Sequence, residues 1–180
     1  MHILVVPGTN RAGSLTRRLA DPVAADHRAL GATVDLLDLG TMGAEFLDPA
    51  AYKNPSPPVK AMVDRFLAAD GVVFLVPEYN GSFPGVLKLF IDMLPDPQGF
   101  AQRPVAFIGL AAGQFKSLRA VEALQAVAGY RNAYQYPRRV FIGDSYQLFD
   151  GDGKIKDAEL AKRLRQQAEG FQQFIGQVRE

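Results

Sequence analysis

Short apolar runs and longer amphipathic segments alternate along the chain. The apolar runs are rich in Val, Ile, Leu and Phe, which predicts strands that are buried on both faces. They cover residues 3–7, 33–39, 71–76, 104–110 and 140–142. Segments with apolar residues at helical spacing lie between them, and Gly, Pro and polar residues mark the turns. This alternation predicts an α/β domain with a parallel sheet and helices on both faces.

The helical segments follow from the same pattern. The first helix is predicted to begin near Ser14, with Leu15, Leu19 and Val23 on one face. Pro22 interrupts it, so a kink or a later start is expected. Further helices are predicted over residues 59–69, 86–94 and 118–127 and around Leu160, Leu164, Phe171, Phe174 and Ile175. The intervening segment 40–58 is rich in Gly, Asp and Pro, and its length favours a lid or a partner contact.

Composition narrows the class of protein. With 180 residues, of which 48% are hydrophobic and 22% charged, the chain fits one globular domain, residues 1–180. A net charge of +1 indicates neither a nucleic-acid partner nor a membrane surface. The absence of cysteine excludes disulfides and cysteine catalysis and favours a cytoplasmic location. The only imidazoles are His2, at a strand start, and His27, expected on a solvated helix, so no metal site is predicted.

A polar turn follows the predicted strand 71–76 and precedes the predicted helix 86–94. It reads Pro77, Glu78, Tyr79, Asn80, Gly81, Ser82, Phe83, Pro84 and Gly85. Open α/β sheets bind ligands at the carboxyl ends of their strands, where this turn should lie. A purely structural turn would not need Glu, Tyr and Asn together, so we interpret the turn as part of a binding site.

A second motif lies at the first strand–helix junction, residues 8–16. Thr9, Arg11, Ser14 and Thr16 surround the start of a helix, where backbone N–H groups and the helix dipole favour an anion. One phosphomonoester would fit these four residues. The alternative is a plain helix N-cap by Ser14 beside a solvated Arg11.

Two better-known phosphate motifs do not match this junction. Gly8 and Gly13 have the spacing of a nucleoside-triphosphate loop, but Ser14 stands where that loop requires Lys. Asn10 stands where a dinucleotide-binding fingerprint has its second Gly. A single phosphate group remains the better interpretation.

The run PEYNGSFPGVLKLFIDML, residues 77–94, resembles the flavin loop and following helix of the NAD(P)H-dependent FMN reductase family. The usual family pattern is PEYN-x-S-x-PG-x-LKN-x-IDW, and the differences at Leu89, Phe90 and Met93 lie outside the turn. The resemblance implies a flavodoxin-like fold, a three-layer doubly wound five-stranded parallel sheet of order 2-1-3-4-5. In that order strands 1 and 3 are neighbours, so both motifs should flank one crevice.

The resemblance also implies a set of FMN-binding residues. The family's phosphate loop, G-S-x-R-x-G-S-x-N, is similar to residues 8–16, and a Gly-rich turn after the fourth strand is expected to cover the flavin's pyrimidine edge. The implied residues are Thr9, Arg11, Ser14, Leu15, Thr16, Pro77, Glu78, Tyr79, Asn80, Gly81, Ser82, Ala112, Gly113 and Gln114. The third loop keeps Gly113 and Arg119 but has Lys116 and Ser117 where two glycines are usual. An ordinary turn with Ser117 as N-cap is the alternative there.

The function implied is an FMN-dependent NAD(P)H oxidoreductase that passes electrons to a quinone, azo compound, free flavin or metal oxyanion in a ping-pong reaction. No side chain is assigned a proton transfer. A flavodoxin-type electron carrier is an alternative, although a net charge of +1 and Arg11 count against it. A binding protein that has lost its cofactor is another. NADPH and NADH are not distinguished, since Lys116, Arg119, Arg138 and Arg139 could each meet a 2′-phosphate or face solvent.

The predicted helix 86–94 is apolar on almost every face. Such a helix must be covered both by the core and by something else. Members of the family pair through this helix, so the resemblance implies a homodimer or a homotetramer. Burial within a monomer is the alternative.

Overall fold

The computed structural model describes residues 1–179. Its strands are β1 His2–Pro7, β2 Thr33–Leu36, β3 Gly71–Pro77, β4 Pro104–Leu110, β5 Tyr134–Gln135 and β6 Val140–Ile142. Its helices are α1 Leu15–Ala29, α2 Pro57–Leu67, α3 Gly85–Asp92, α4 Leu118–Tyr130 and α5 Ala158–Arg179. None of these helices is long and apolar enough to cross a membrane.

All the strands are parallel, in the order β2-β1-β3-β4, and both β5 and β6 pair with the outer edge of β4. Tyr134 pairs with Pro104 at one end of β4, and Val140 pairs with Ile108 further along it. The flavodoxin-like order 2-1-3-4-5 is therefore confirmed. The prediction of five strands was wrong in one respect, because two short strands share the fifth position.

Helices cover both faces of the sheet. On one face α2, α3 and α4 enclose a core built on aromatic residues, including Phe66, Phe74, Phe90, Phe100 and Phe107. On the other face α1 and α5 pack against alternate residues of the same strands. Successive side chains of a strand point to opposite faces, so Phe74 enters the first core and Leu75 the second. Burial on both faces explains why β3 and β4 are apolar throughout.

The segment after β2 is more ordered than the sequence suggested. β2 ends at Leu36 rather than at residue 39, and 3₁₀ turns follow at Leu39–Thr41, Ala44–Leu47 and Pro49–Tyr52. Asp38 and Asp48 cap two of these turns, each accepting a backbone N–H two residues ahead, at 2.8 and 2.9 Å. Phe46 is only 1% exposed and anchors the segment in the core.

Helix α1 runs unbroken through Pro22, so a later start was wrong. The expectation of a solvated His27 was also wrong, because this side chain is 2% exposed. It lies one turn after Val23 on the buried face of α1, where it meets the edge of Phe171 on α5 at 6.3 Å between ring centroids. Burial lowers the pKa of His27 to about 4.

Helix α3 is less uniformly apolar than the sequence suggested. Leu87 and Phe90 are fully buried in the core. Lys88 and Asp92 form an exposed ion pair one turn apart, with 2.8 Å between Nζ and Oδ1. The apolar residues that stay partly uncovered are Val86, Leu89 and Met93.

Candidate functional site

The loops after β1 and β3 meet at the carboxyl edge of the sheet. These strands are parallel neighbours, with Pro7 opposite Leu75. Their ends therefore lie side by side, and Thr9 Oγ1 comes within 2.9 Å of the Tyr79 hydroxyl, forming a hydrogen bond. Thr9 is 2% exposed and Tyr79 is 36% exposed, so this bond joins the two loops at a partly buried position.

The start of α1 offers hydrogen-bond donors to a ligand. Ser14 caps the helix by accepting the Arg17 N–H at 3.1 Å, which leaves its own hydroxyl proton available. The N–H groups of Leu15 and Thr16 have no partner within the helix, because no earlier turn precedes them. Arg11 is exposed beside them and takes part in no ion pair among residues 1–179. The N-cap alternative is thus realised, and it is compatible with anion binding.

The turn after β3 is tightly built. Asn80 and Gly81 both have positive φ, 53° and 79°, as a two-residue type I′ turn requires. The Tyr79 N–H donates to the Ser82 carbonyl at 2.8 Å, and the Ser82 N–H donates back at 3.1 Å. These bonds fix the position of Tyr79. They also consume its backbone N–H, so only the Asn80 and Gly81 amides remain for a ligand.

The loop after β4 has a glycine-like backbone at two residues that are not glycine. Lys116 and Ser117 adopt positive φ, 50° and 68°. Ser117 occupies the N-cap position of α4, as the alternative expected, but its side chain makes no capping bond. Its hydroxyl instead donates to the Val76 carbonyl at 2.7 Å and ties this loop to the end of β3. The guanidinium carbon of Arg119 lies 4.3 Å from the ring centroid of Phe115.

The loops after β1, β3, β4 and β6 line a cleft of about 150 Å³. The predicted site residues that line it are Arg11, Ser14, Leu15, Thr16, Pro77, Glu78, Tyr79 and Ala112. Other predicted residues lie on the same turns but do not line it, namely Thr9, Asn80, Gly81, Ser82, Gly113 and Gln114.

The cleft also contains residues that the sequence reasoning missed: Leu110, Ala111, Ser145 and Tyr146. Ala111 donates its N–H to the Ile142 carbonyl at 3.0 Å, and Ser145 donates to the Ala111 carbonyl at 3.3 Å. The end of β6 is thereby joined to the end of β4. Because the carboxyl ends of all parallel strands meet at one edge, the position of Ser145 just after β6 could have revealed it.

The donors at this edge suit one phosphate group and an adjoining polar ring. The N-terminus of α1 and the loop before it offer hydroxyls, N–H groups and the Arg11 cation. The opposite side of the cleft, at Tyr79 and Ala112, offers an aromatic face and backbone amides. Among residues 1–179 no group of three or more His, Asp or Glu side chains is placed to hold a metal ion. The donors at the start of α1 therefore suit the phosphate of a flavin mononucleotide.

Comparison with known proteins gives the same answer. An NAD(P)H-dependent FMN reductase of Pseudomonas aeruginosa is 28% identical, over 99% of this chain and 97% of that protein. An NADPH azoreductase of Bacillus sp. (strain OY1-2) is 30% identical, over 92% and 91%. The structure of FerB, a flavoenzyme NAD(P)H:(acceptor) oxidoreductase from Paracoccus denitrificans, superimposes with a TM-score of 0.82, at 25% identity, over 98% of this chain and 97% of that one. A family model described as NADPH-dependent FMN reductase matches residues 1–147, and the chain belongs to that family.

Proposed function

We propose that this protein uses bound FMN to carry electrons from NADPH or NADH to an oxidised small molecule, such as a quinone, azo compound, free flavin or metal oxyanion. The observation that carries the proposal is the Thr9–Tyr79 hydrogen bond of 2.9 Å. It joins the loop suited to a phosphate to the loop that resembles the family's flavin loop. Family membership supports the same activity.

The phosphate end of FMN is assigned to Arg11, Ser14 and Thr16. Ser14 and Thr16 are each 3% exposed and line the cleft, so the surface that they keep faces a ligand there. Arg11 supplies the positive charge that a phosphate dianion needs. Thr9 belongs to the same loop, and its hydroxyl is hydrogen-bonded to that of Tyr79, with either one able to be the donor. We assign it the role of positioning Tyr79.

The ring end is assigned to Tyr79 and to the turn at residues 112–114. Bound FMN supplies the electron-accepting ring chemistry. The protein's contribution is orientation and electrostatic stabilisation, which backbone N–H groups near the ring provide. The Ala111 N–H is bonded to Ile142, so the amides from residue 112 onward are the available donors. No side chain in the cleft is assigned a proton transfer.

We further propose that two copies pair through α3 and that the chain forms one domain. We also propose that it acts in the cytoplasm, where NADPH and NADH are found. Partly uncovered Val86, Leu89 and Met93 support pairing. Both hydrophobic cores share one sheet, which supports a single domain.

The test is the colour of the purified protein. We expect a yellow protein whose flavin absorbance bleaches anaerobically when NADPH or NADH is added. A colourless protein that ignores added FMN would refute the proposal. A yellow protein that is inert towards both nicotinamides would favour an electron carrier instead.

A further inference from the structure

One wall of the cleft is formed by the segment that follows β6, which has no role in the proposed function. Ser145 and Tyr146 line the cleft there, together with the residues assigned to the phosphate. Tyr146 is 80% exposed, and among residues 1–179 its ring pairs with no other aromatic ring. An aromatic side chain that borders a cleft without being packed is free to pack on a ligand there.

The backbone that carries Tyr146 is held on both sides. Ser145 is 6% exposed, and its N–H donates to the Ala111 carbonyl at 3.3 Å. Leu148 is 5% exposed, and its N–H donates to the Ser145 carbonyl at 3.2 Å, which closes a 3₁₀ turn around Tyr146. Because the backbone is fixed and the side chain is not packed, rotation of the side chain alone is enough to cover a ligand.

Two further features place this turn beside α1. Phe149, just after the turn, is 9% exposed, and its ring centroid lies 4.6 Å from the guanidinium carbon of Arg18, near the start of α1. Asp144, just before the turn, has a φ of +46°, in the left-handed region that few residues other than glycine adopt. The turn is therefore held close to the helix end to which the phosphate is assigned.

The size and the charge of the cleft leave a role for a cover. Its volume of about 150 Å³ is below the roughly 300 Å³ at which pockets for small organic ligands begin, so it suits the phosphate and the chain attached to it rather than a whole flavin nucleotide. Arg11 and Glu78 line it with opposite charges. Water and salt weaken the attraction of an exposed cation such as Arg11 for a phosphate. A side chain that excludes water would strengthen this attraction.

We propose, resting on the proposed function, that Tyr146 is a further FMN-binding residue whose ring turns over the phosphate and the attached ribityl chain. The ring shields this end of FMN from water and slows its release. Tyr79 does not take this role, because its hydroxyl is bonded to Thr9 at 2.9 Å. The Tyr146 ring, rather than its hydroxyl, supplies the covering area.

Chemical protection tests where Tyr146 lies when FMN is bound. Tetranitromethane nitrates exposed tyrosines, and mass spectrometry of the peptides identifies each site. We expect nitration of Tyr146 to be lost when FMN is added. Tyr52 is the control in the same sample, because it is 58% exposed and does not line the cleft. Its nitration should be the same with and without FMN. Equal nitration of Tyr146 in both samples would overturn the proposal.

Affinity measurements test what the ring contributes. Tyr146→Ala should raise the Kd for FMN about tenfold, mainly through faster release, whereas Tyr146→Phe keeps the ring and should stay within about threefold of the wild type. Raising the salt from about 0.1 to 1 M should weaken FMN binding more in Tyr146→Ala than in the wild type. Tyr52→Ala is the matched control and should change neither property.

The outcomes separate this role from the proposed function. An unchanged Kd and salt dependence in Tyr146→Ala, or an equal loss in the Phe and Ala variants, would overturn the role of the ring. Circular dichroism confirms that each variant is folded, which is expected for so exposed a side chain. A wild-type protein that binds no FMN would refute the proposed function and this role together. A wild-type protein that binds FMN and leaves Tyr146 unprotected would refute this role alone.

Discussion

The Ser117 hydroxyl donates a 2.7 Å hydrogen bond to the Val76 carbonyl, from the loop after β4 to the end of β3. Ser117 is fully buried and stands at φ +68°, a conformation that glycine adopts without strain. The Ser117 side chain therefore strains the backbone at this position and also fixes the loop. This bond explains how a loop without the usual glycines keeps its shape beside the cleft.

Replacing Ser117 separates the two effects. Ser117→Ala keeps the strained backbone and leaves the Val76 carbonyl without its partner, so the free energy of unfolding should fall by about 1–3 kcal/mol. Ser117→Gly loses the same bond but relieves the strain of the left-handed backbone. Its free energy of unfolding should therefore fall by about 1 kcal/mol less than that of Ser117→Ala. Urea denaturation monitored by circular dichroism measures both. Equal losses for the two variants would show that φ at this position carries no strain.

The Thr9–Tyr79 bond makes a prediction for a double-mutant cycle. Tyr79→Phe and Thr9→Val each remove one partner and leave the other hydroxyl near a buried position, whereas the double variant removes both. The free energies of unfolding of the wild type and the three variants should show a coupling of about 0.5–1.5 kcal/mol. Strict additivity would mean that the two loops are joined by something other than this bond.

The phosphate assignment predicts a contrast between two flavins. Arg11→Ala should lower the affinity for FMN by about tenfold or more. The affinity for riboflavin, which lacks the phosphate, should be nearly unchanged. Ser14→Asp should also lower the affinity for FMN, because Asp still caps α1 but places a negative charge beside the phosphate. Fluorescence titration of the protein freed of flavin measures each affinity.

Ser56 supplies the matched control. It occupies the N-cap position of α2 but makes no capping bond with its side chain. Ser56 does not line the cleft, so Ser56→Asp should leave FMN affinity unchanged. If the affinities for FMN and riboflavin fall equally in the Arg11 and Ser14 variants, the phosphate lies elsewhere.

Most of the fold could be predicted because the longer strands are continuous runs of apolar residues. Residues 71–76 and 104–110 are apolar throughout, as expected for strands of a sheet that is covered on both faces. β5 could not be predicted, because Tyr134 and Gln135 are held by pairing with β4 rather than by any local pattern. Burial of His27 likewise depends on α5, where Gln172, 145 positions away, bonds to its ring at 3.2 Å.

The candidate site divides in the same way. Arg11, Ser14 and Tyr79 lie in motifs with local meaning and were predicted to share a crevice. Ser145 and Tyr146 follow a strand of three residues, and their place depends on distant bonds to the loop after β4. Local sequence therefore reveals the residues with a chemical signature and misses those that only tertiary pairing brings to the cleft.

Pairing through α3 predicts which substitutions split an oligomer. Leu89→Glu with Met93→Glu places charges on the partly uncovered face, so the mass by light scattering should fall to that of one chain while circular dichroism stays native. Leu87→Glu or Phe90→Glu would instead place a charge in the core and unfold the protein, because both side chains are fully buried. An unchanged mass for the folded double variant would exclude pairing through this face.

Buried His27 predicts a stability change with pH. Because its pKa is lowered from 6.5 to about 4, the unfolded chain binds the proton more readily than the folded protein does. The stabilising effect of a neutral His27 is present above pH 6.5 and is lost as the pH falls towards 4, amounting to about 3 kcal/mol. In His27→Leu, which cannot titrate here, this part of the pH dependence should disappear. Urea unfolding of both proteins between pH 7 and 4 measures it. Parallel curves would show that the pKa of His27 is the same in the folded protein and in the unfolded chain.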